Sequence, residues 1–430
     1  MKKNTKSGLI HLSQIVYLTA RGFFKNNLGM CASACTLGFI FSFIPLIMLI
    51  LTTFIGILHA SPAILEGFSA LVANITPVFD INGYINGLKH GFVINWVNFL
   101  LAVFVIWMAR KMFLSIIQSL SKIFNTVAPA RPVINQLLTF AGEVFIVVIV
   151  AAAFFAAFLT RQIFKLPVFE RISSLSPILF SHLSNFLVNL VLYIIIFSMT
   201  VAAYKIGSGT KPKTRLCIVS ALLCTVTFYI AITIISVFMN RANYNTIYGV
   251  LGNIIILLFE VYIFFNLFMV FAQMIFTVQF FHSNLLSELY LLPEKNPKNL
   301  DDILRRAIFI TPSALMTQKN MEIFNPGQEI FKNGETVDYV YYLVSGTIRE
   351  ERNDSVKTRS AGSFFGDLDF MIDANHRSAA TAISECKVIK IPGDDFSELL
   401  DKNPKAAVKA MSKLSRYTAK FYGRNETILL

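Results

Sequence analysis

Gly366, Asp367 and Leu368 form a short cluster near the end of the 430-residue sequence, and Arg377, Ser378 and Ala379 form a second one ten residues further on. A helix that starts just after a glycine leaves backbone amides unpaired, and its dipole favours an anion there. A nearby guanidinium adds a charge-assisted contact that can be bidentate. The stretch SFFGDLDFMIDANHRSAAT, residues 363–381, therefore reads as a phosphate-binding cassette. His376, beside the arginine, reads as a surface loop residue rather than a ligand. A second polar set lies inside apolar sequence: Glu143, Asn253, Glu260, Asn266 and Gln273. A charge in hydrocarbon is expensive, so such residues face a bundle interior or a wet cavity. Asn253, Glu260 and Asn266 recur near the seven-residue spacing that keeps one helix face. Such a stripe either lines a path or holds two helices together by hydrogen bonds. Glu143, closer to a helix end, also suits a neutral or paired structural carboxyl.

The elements that must position these groups fall into two parts. Up to residue 285 the chain has 18 Lys plus Arg against 5 Asp plus Glu, whereas the remainder has 20 of each. The whole formal net charge of +13 thus belongs to the first part. Its basic residues sit in short clusters between apolar runs, as in membrane proteins that keep Lys and Arg in cytoplasmic loops. That pattern argues against nucleic acid as a partner. Six apolar segments reach the roughly 20 residues a bilayer-crossing helix needs: 29–58, 91–109, 133–160, 179–204, 216–240 and 247–281. With the N-terminus inside, the inner segments hold thirteen basic residues and the outer loops five. An even number of spans returns the C-terminus to the cytoplasm. The first 27 residues lack a compact apolar core and cleavage site, so they read as an amphipathic helix along the cytoplasmic surface rather than a signal peptide. Five scattered cysteines suggest neither a disulfide framework nor a metal site.

From about residue 283 the composition changes. Pro293 and Pro297 mark a break over a linker at 283–304, and Asn299 or Asp301 can cap a helix carrying Leu304, Ile308 and Ile310 on its apolar side. The apolar period then becomes two, with turns at Pro326-Gly327, Asn333-Gly334 and Ser345-Gly346. Short strands so spaced imply a compact β-roll. The final segment reads as helices broken at Pro404, with Ala407, Ala410, Met411, Leu414 and Tyr417 at helical spacing. The Lys and Arg of that last helix read as a solvated face. The expected architecture is an α-helical membrane bundle of six transmembrane helices over 1–282, then a small α+β cytoplasmic domain over 305–430.

Two resemblances sharpen this. Phe41–Leu51, with Pro45, and the segment Asn243–Gln273, with Tyr248-Gly249, Tyr262 and Ala272, resemble the YihY/BrkB family, formerly labelled ribonuclease BN. Gln273 stands where that family commonly has glutamate, and Glu260 where an aromatic is usual. The resemblance covers roughly residues 8–282 and implies a bacterial inner-membrane protein with both ends cytoplasmic, in envelope integrity or solute movement. No metal-nuclease constellation accompanies the six isolated histidines, so an enzyme is not expected. Gly327, Gly334, Gly346, Asp338, Gly366 and Arg377-Ser378-Ala379 resemble the cyclic-nucleotide-binding domain of the catabolite activator protein and of nucleotide-gated channels. That resemblance implies cAMP or cGMP as ligand, with Arg377 and Ser378 on the cyclic phosphate. It also implies that Asp367, in place of the family's glutamate, accepts the ribose hydroxyl, and that the last helix covers the base and pairs with its twin in a homodimer. The function expected is a permease-like membrane protein regulated by cyclic nucleotide. The alternative is a structural envelope protein whose cytoplasmic domain only dimerises.

Overall fold

The structure, a computed structural model, describes residues 2–41, 96–124, 177–238, 241–292, 299–310, 312, 320–352, 355–372 and 375–426. The chain divides into two compact units: Thr19–Gln279, and Met1–Leu18 together with Phe280–Leu430.

The first of these units is helical. Its elements are the end of α1 (Lys2–Lys25), α2 (Trp96–Phe124), α3 (Pro177–Gly207), α4 (Thr214–Phe238) and α5 (Arg241–Gln279), with a further helical stretch at Leu28–Phe41. Helices α2 to α5 are rich in Leu, Ile, Val and Phe around most of their circumference, as expected of helices whose surroundings are apolar on every side. Among the described residues, Thr214–Val237 and Ile255–Gln279 are long and apolar enough to cross a bilayer, whereas Leu28–Phe41 and Tyr193–Gly207 are apolar but shorter. The expected spans are helical over their described portions, apart from a turn at Phe280. The span at 133–160, with Glu143, lies outside the described residues. Within the unit α4 packs against α3 and α5, and α5 also meets α2. Tyr204 on α3 donates from its hydroxyl to the Phe268 carbonyl on α5 at 2.9 Å, a fully buried cross-helix bond.

The second unit is a β-roll flanked by helices. Its elements after α5 are α6 (Phe281–Tyr290), α7 (Leu300–Phe309), strands β1 (Met321–Phe324), β2 (Glu329–Phe331), β3 (Tyr339–Ser345), β4 (Thr347–Arg352), β5 (Ser355–Ser360) and β6 (Phe364–Phe365), then α8 (Asp367–Met371), β7 (Ala379–Ala382), β8 (Cys386–Pro392), α9 (Gly393–Lys402) and α10 (Pro404–Glu426). Two antiparallel four-stranded sheets run in the orders β1-β8-β3-β6 and β2-β7-β4-β5. Strand β3 explains how one apolar run serves two cores. Its alternate residues Tyr341 and Leu343 join Phe331, Ile348, Phe365 and Ala380 between the sheets. The others, Val340, Tyr342 and Val344, face the helices, where they meet Leu289, Tyr290, Phe309, Phe396 and Ala406. Period two sends neighbours to opposite faces, and a strand covered on both sides loses polar alternation.

The chain crosses between the two sheets at Gly346, whose φ is +95° and whose absent Cβ would stand 2.5 Å from the Glu385 carbonyl oxygen. Only glycine meets both conditions without strain. The segment read as a linker contributes a real core element: Leu285, Leu286, Leu289 and Tyr290 of α6 are buried. On α7, Asn299 occupies the cap position and Phe309 is buried, but Leu304 is exposed rather than apolar-side core. The first eighteen residues also join this unit, with Gln14 donating to the Ile308 carbonyl at 2.9 Å and Tyr17 to Asp301 at 2.7 Å.

Candidate functional site

Gly366 begins the cassette in the left-handed region, φ +75°, and caps the five-residue helix α8. The left-handed turn lets the chain leave β6 and enter the helix at once, while Tyr341 and His376 close over the place a Cβ would occupy. The opposite wall of the cassette is pinned by backbone bonds: His376 donates its amide to the Glu335 carbonyl at 2.8 Å and accepts from Gly334 at 2.7 Å. These bonds fix the segment that displays Arg377. The Arg377 side chain is exposed. Among the described residues it makes no side-chain hydrogen bond or ion pair.

The acidic groups of the cassette are engaged. Asp367 is buried, and its Oδ2 accepts from Lys413 Nζ at 2.8 Å and from the Tyr290 hydroxyl at 3.3 Å. Lys413 also lies 5.1 Å above the Tyr290 ring. Asp367, the expected ribose acceptor, therefore points to α6 and α10. Asp369, fully buried, holds Arg352 at 2.6 Å and receives the Ser378 hydroxyl at 3.3 Å. His376 Nδ1 lies 3.4 Å from the same carboxylate, and its ring stacks on Phe331 with centroids 3.8 Å apart. His376 is thus a buried packing group, not the surface loop residue expected. Its neighbours Phe331 and Tyr341 are distant in sequence, which is why its position read as loop. Arg352 in turn stacks over Tyr417 of α10 at 5.0 Å. On the inner face of β4, Arg359 meets Glu350 through Nε at 2.8 Å and through Nη2 at 2.7 Å.

Of the expected cassette residues, the structure brings Gly366, Asp367 and Leu368 to the start of α8, and Ser378 within reach of that helix through Asp369. Ala379 opens β7 opposite Glu351. Asp369, Arg352, Lys413 and Tyr290 had no part in the sequence reading. One signal was available for Asp369, since an acid two residues after Asp367 in the apolar helix DLDFM needs a partner once buried. Lys413 was read as part of a solvated face and proves to be largely buried.

Of the polar set within apolar sequence, the side chains of Glu260, Asn266 and Gln273 are described, all on α5. Gln273 is buried and accepts from Asn26 Nδ2 at 3.3 Å, with Gly22 against its side chain. Asn266 donates to the Tyr262 carbonyl one turn back on its own helix, at 2.8 Å. Glu260 is half-buried on α5. Asn253 lies on the same helix, but its side chain, like Glu143, falls outside the described residues. Among the described residues no cluster of three or more His, Cys, Asp or Glu is placed to hold a metal, and all five cysteines are free.

Residues 19–287 match the family described as virulence factor BrkB. The chain belongs to that family. Residues 321–403 match the cyclic nucleotide-binding domain, so the helical BrkB region and the β-roll are two recognised modules in one chain. Among curated proteins, the human hyperpolarization-activated cyclic nucleotide-gated channel 4 is 25% identical over 97 residues, 22% of this chain and 8% of the channel. The human channel 2 is 26% identical over 98 residues, 22% of this chain and 11% of the channel. The chain spans about a tenth of the length of these relatives. Among solved structures, the catabolite activator protein of Thermus thermophilus is 18% identical, with a TM-score of 0.23, covering 25% of this chain and 54% of that one. The cAMP-bound PfPKA-R structure is 21% identical, with a TM-score of 0.24, covering 35% and 47%.

Proposed function

We propose that the chain is a multi-pass protein of the bacterial inner membrane, permease-like, regulated by a cyclic nucleotide bound to its cytoplasmic β-roll. Both termini are cytoplasmic in this reading, which rests on the lysine and arginine bias of the six apolar segments. The single observation that carries the ligand reading is Arg377. It is an exposed guanidinium next in sequence to His376, whose ring lies against Gly366, and it has no side-chain partner among the described residues, while Asp367 and Asp369 have theirs. Recognition is then led by the phosphate, with Arg377 and the cassette amides as donors. Asp367 serves α10 rather than the ribose. A missing hydrogen bond of that kind weakens binding by about 1–3 kcal/mol, roughly ten- to a hundred-fold, so the affinity belongs in a correspondingly weaker range than a complete site. Regulation requires the ligand to bind one arrangement of α8 and α10 better than another.

Titration calorimetry of the full chain in lipid nanodiscs with cAMP and with cGMP tests this. Saturable heat with either one supports it. No heat at millimolar ligand, with the protein folded, overturns it. A second reading follows from one observation: Lys413 and Tyr417 already close α10 onto the cassette residues Asp367 and Asp369, through Arg352 in the second case. A latch made by protein side chains alone suits a structural envelope protein that dimerises through this unit. That reading expects Arg377→Glu to leave the cellular phenotype intact.

A further inference from the structure

Asp369 brings a carboxylate into the interior of the cassette. It is 0% exposed, and side chains from β4 and from the Arg377 segment converge on it. Arg352, the last residue of β4, reaches Oδ1 at 2.6 Å. Ser378 donates its hydroxyl to Oδ2 at 3.3 Å, and His376 Nδ1 stands 3.4 Å from the same oxygen. Ser378 is the next residue after Arg377 and is itself 1% exposed. Its hydroxyl, expected on a ligand phosphate, is therefore turned to an internal anion. The geometry is not that of a simple ion pair. A guanidinium and a carboxylate can make two parallel bonds, yet Arg352 Nη1 is buried with no hydrogen-bond partner among the described residues. Asp369 leaves that donor unanswered and gives its second oxygen to Ser378 and His376.

We infer that Asp369 is the specificity-determining residue of the cassette: it favours a singly charged phosphodiester over a doubly charged phosphomonoester, and it withholds the Ser378 hydroxyl from either. A ligand phosphate that takes this hydroxyl must first break its bond to Asp369, so the exchange gains little. A fixed carboxylate one hydroxyl away also repels the ligand in proportion to the ligand's own charge. Arg352 offsets part of that field, but removing the carboxylate charge changes the field by one unit whether or not the arginine is there. A cyclic nucleotide carries a single negative charge on its phosphodiester, whereas a phosphomonoester carries about 1.5 to 2 at pH 7. The carboxylate therefore penalises the open monoester more than the cyclic diester. This inference rests on the ligand reading above, with Arg377 as the phosphate's partner.

The test is titration calorimetry of the full chain in lipid nanodiscs with cAMP and with 5′-AMP, in the parent and in Asp369→Asn. Asparagine keeps the shape of the side chain and removes its charge; Asp369→Ser takes its place should asparagine not fold. The expected result is cAMP binding about five-fold tighter in the variant, with a larger gain for 5′-AMP. A purely structural role would move both ligands alike, so the ratio of the two gains is the deciding quantity. Ser378→Ala, added to each background, should cost cAMP at least about three-fold more in Asp369→Asn than in the parent, because only there is the hydroxyl released to the ligand. Equal gains for the two ligands, weaker cAMP binding in Asp369→Asn, or an equal cost of Ser378→Ala in both backgrounds overturns the inference and leaves the ligand reading standing. Heat in Asp369→Asn with none in the parent supports the inference and removes the ligand reading for the parent. No heat in either protein overturns both.

Discussion

Replacing Lys413 by methionine removes one partner of a buried pair and keeps most of the side-chain volume. Asp367 is 2% exposed and Lys413 18%, with 2.8 Å between Oδ2 and Nζ. Stranding a buried charge costs about 3–5 kcal/mol. The Tyr290 hydroxyl at 3.3 Å remains as a donor, and the lysine end is partly hydrated, so the lower figure applies, about 3 kcal/mol. That corresponds to roughly a hundred-fold change in an opening equilibrium. Amide hydrogen exchange on the full chain reads it directly. Lys413→Met should lower protection of α8 and the first half of α10 by about a hundred-fold. The double variant Asp367→Asn/Lys413→Met leaves no charge to strand and should recover at least half of the loss in free energy, because sites in direct contact are non-additive. Loss under about three-fold for Lys413→Met, or losses that simply add in the double variant, would refute the reasoning that this pair latches α10 to the cassette.

Two further outcomes follow from the same unit. Gly346→Ala should destabilise the roll by about 3 kcal/mol or more, since a side chain at positive φ is strained and its Cβ meets the Glu385 carbonyl; limited proteolysis of the full chain reads the change, and a variant as resistant as the parent would contradict the crossing geometry. Burial, aided by Glu335, Glu322 and Asp338, raises the Tyr341 phenol from 10.0 to about 12. The folded roll thus keeps it neutral where the unfolded chain ionises, so this contribution to stability is whole below pH 10.0 and is lost as pH rises from there towards 12. Urea midpoints over that window should fall for the parent and fall less for Tyr341→Phe.

The roll was legible because its signals are local. Pro326-Gly327, Asn333-Gly334 and Ser345-Gly346 mark turns between runs of period two, and Gly366 with Arg377 and Ser378 keeps the spacing of a cassette. The break at Asn403–Pro404 was legible for the same reason, as proline ends α9 and opens α10. What escaped depends on tertiary partners. Nothing near Asp367 in sequence says that its carboxylate meets Lys413, 46 residues on, or Tyr290, 77 residues back. His376 sits in a polar loop, yet two strands fold it under Phe331. For α1 the amphipathic pattern was plain, but which face meets protein depended on the partner, and Gln14 proved to be on the inside. On α5, the partner of Gln273 is Asn26, from the other end of the unit's sequence.

In the proposed function a cyclic nucleotide acts through Arg377 and the cassette. Hydrogen exchange of the full chain in nanodiscs, with and without saturating cAMP or cGMP and with Arg377→Ala alongside, tests it most directly. A charge-assisted contact contributes about 1.5–3 kcal/mol. Added protection is expected at Gly366–Met371 and at His376–Ala380 in the parent, with a ligand midpoint at least ten-fold higher in Arg377→Ala. Equal protection in both proteins, or none in either, would contradict it.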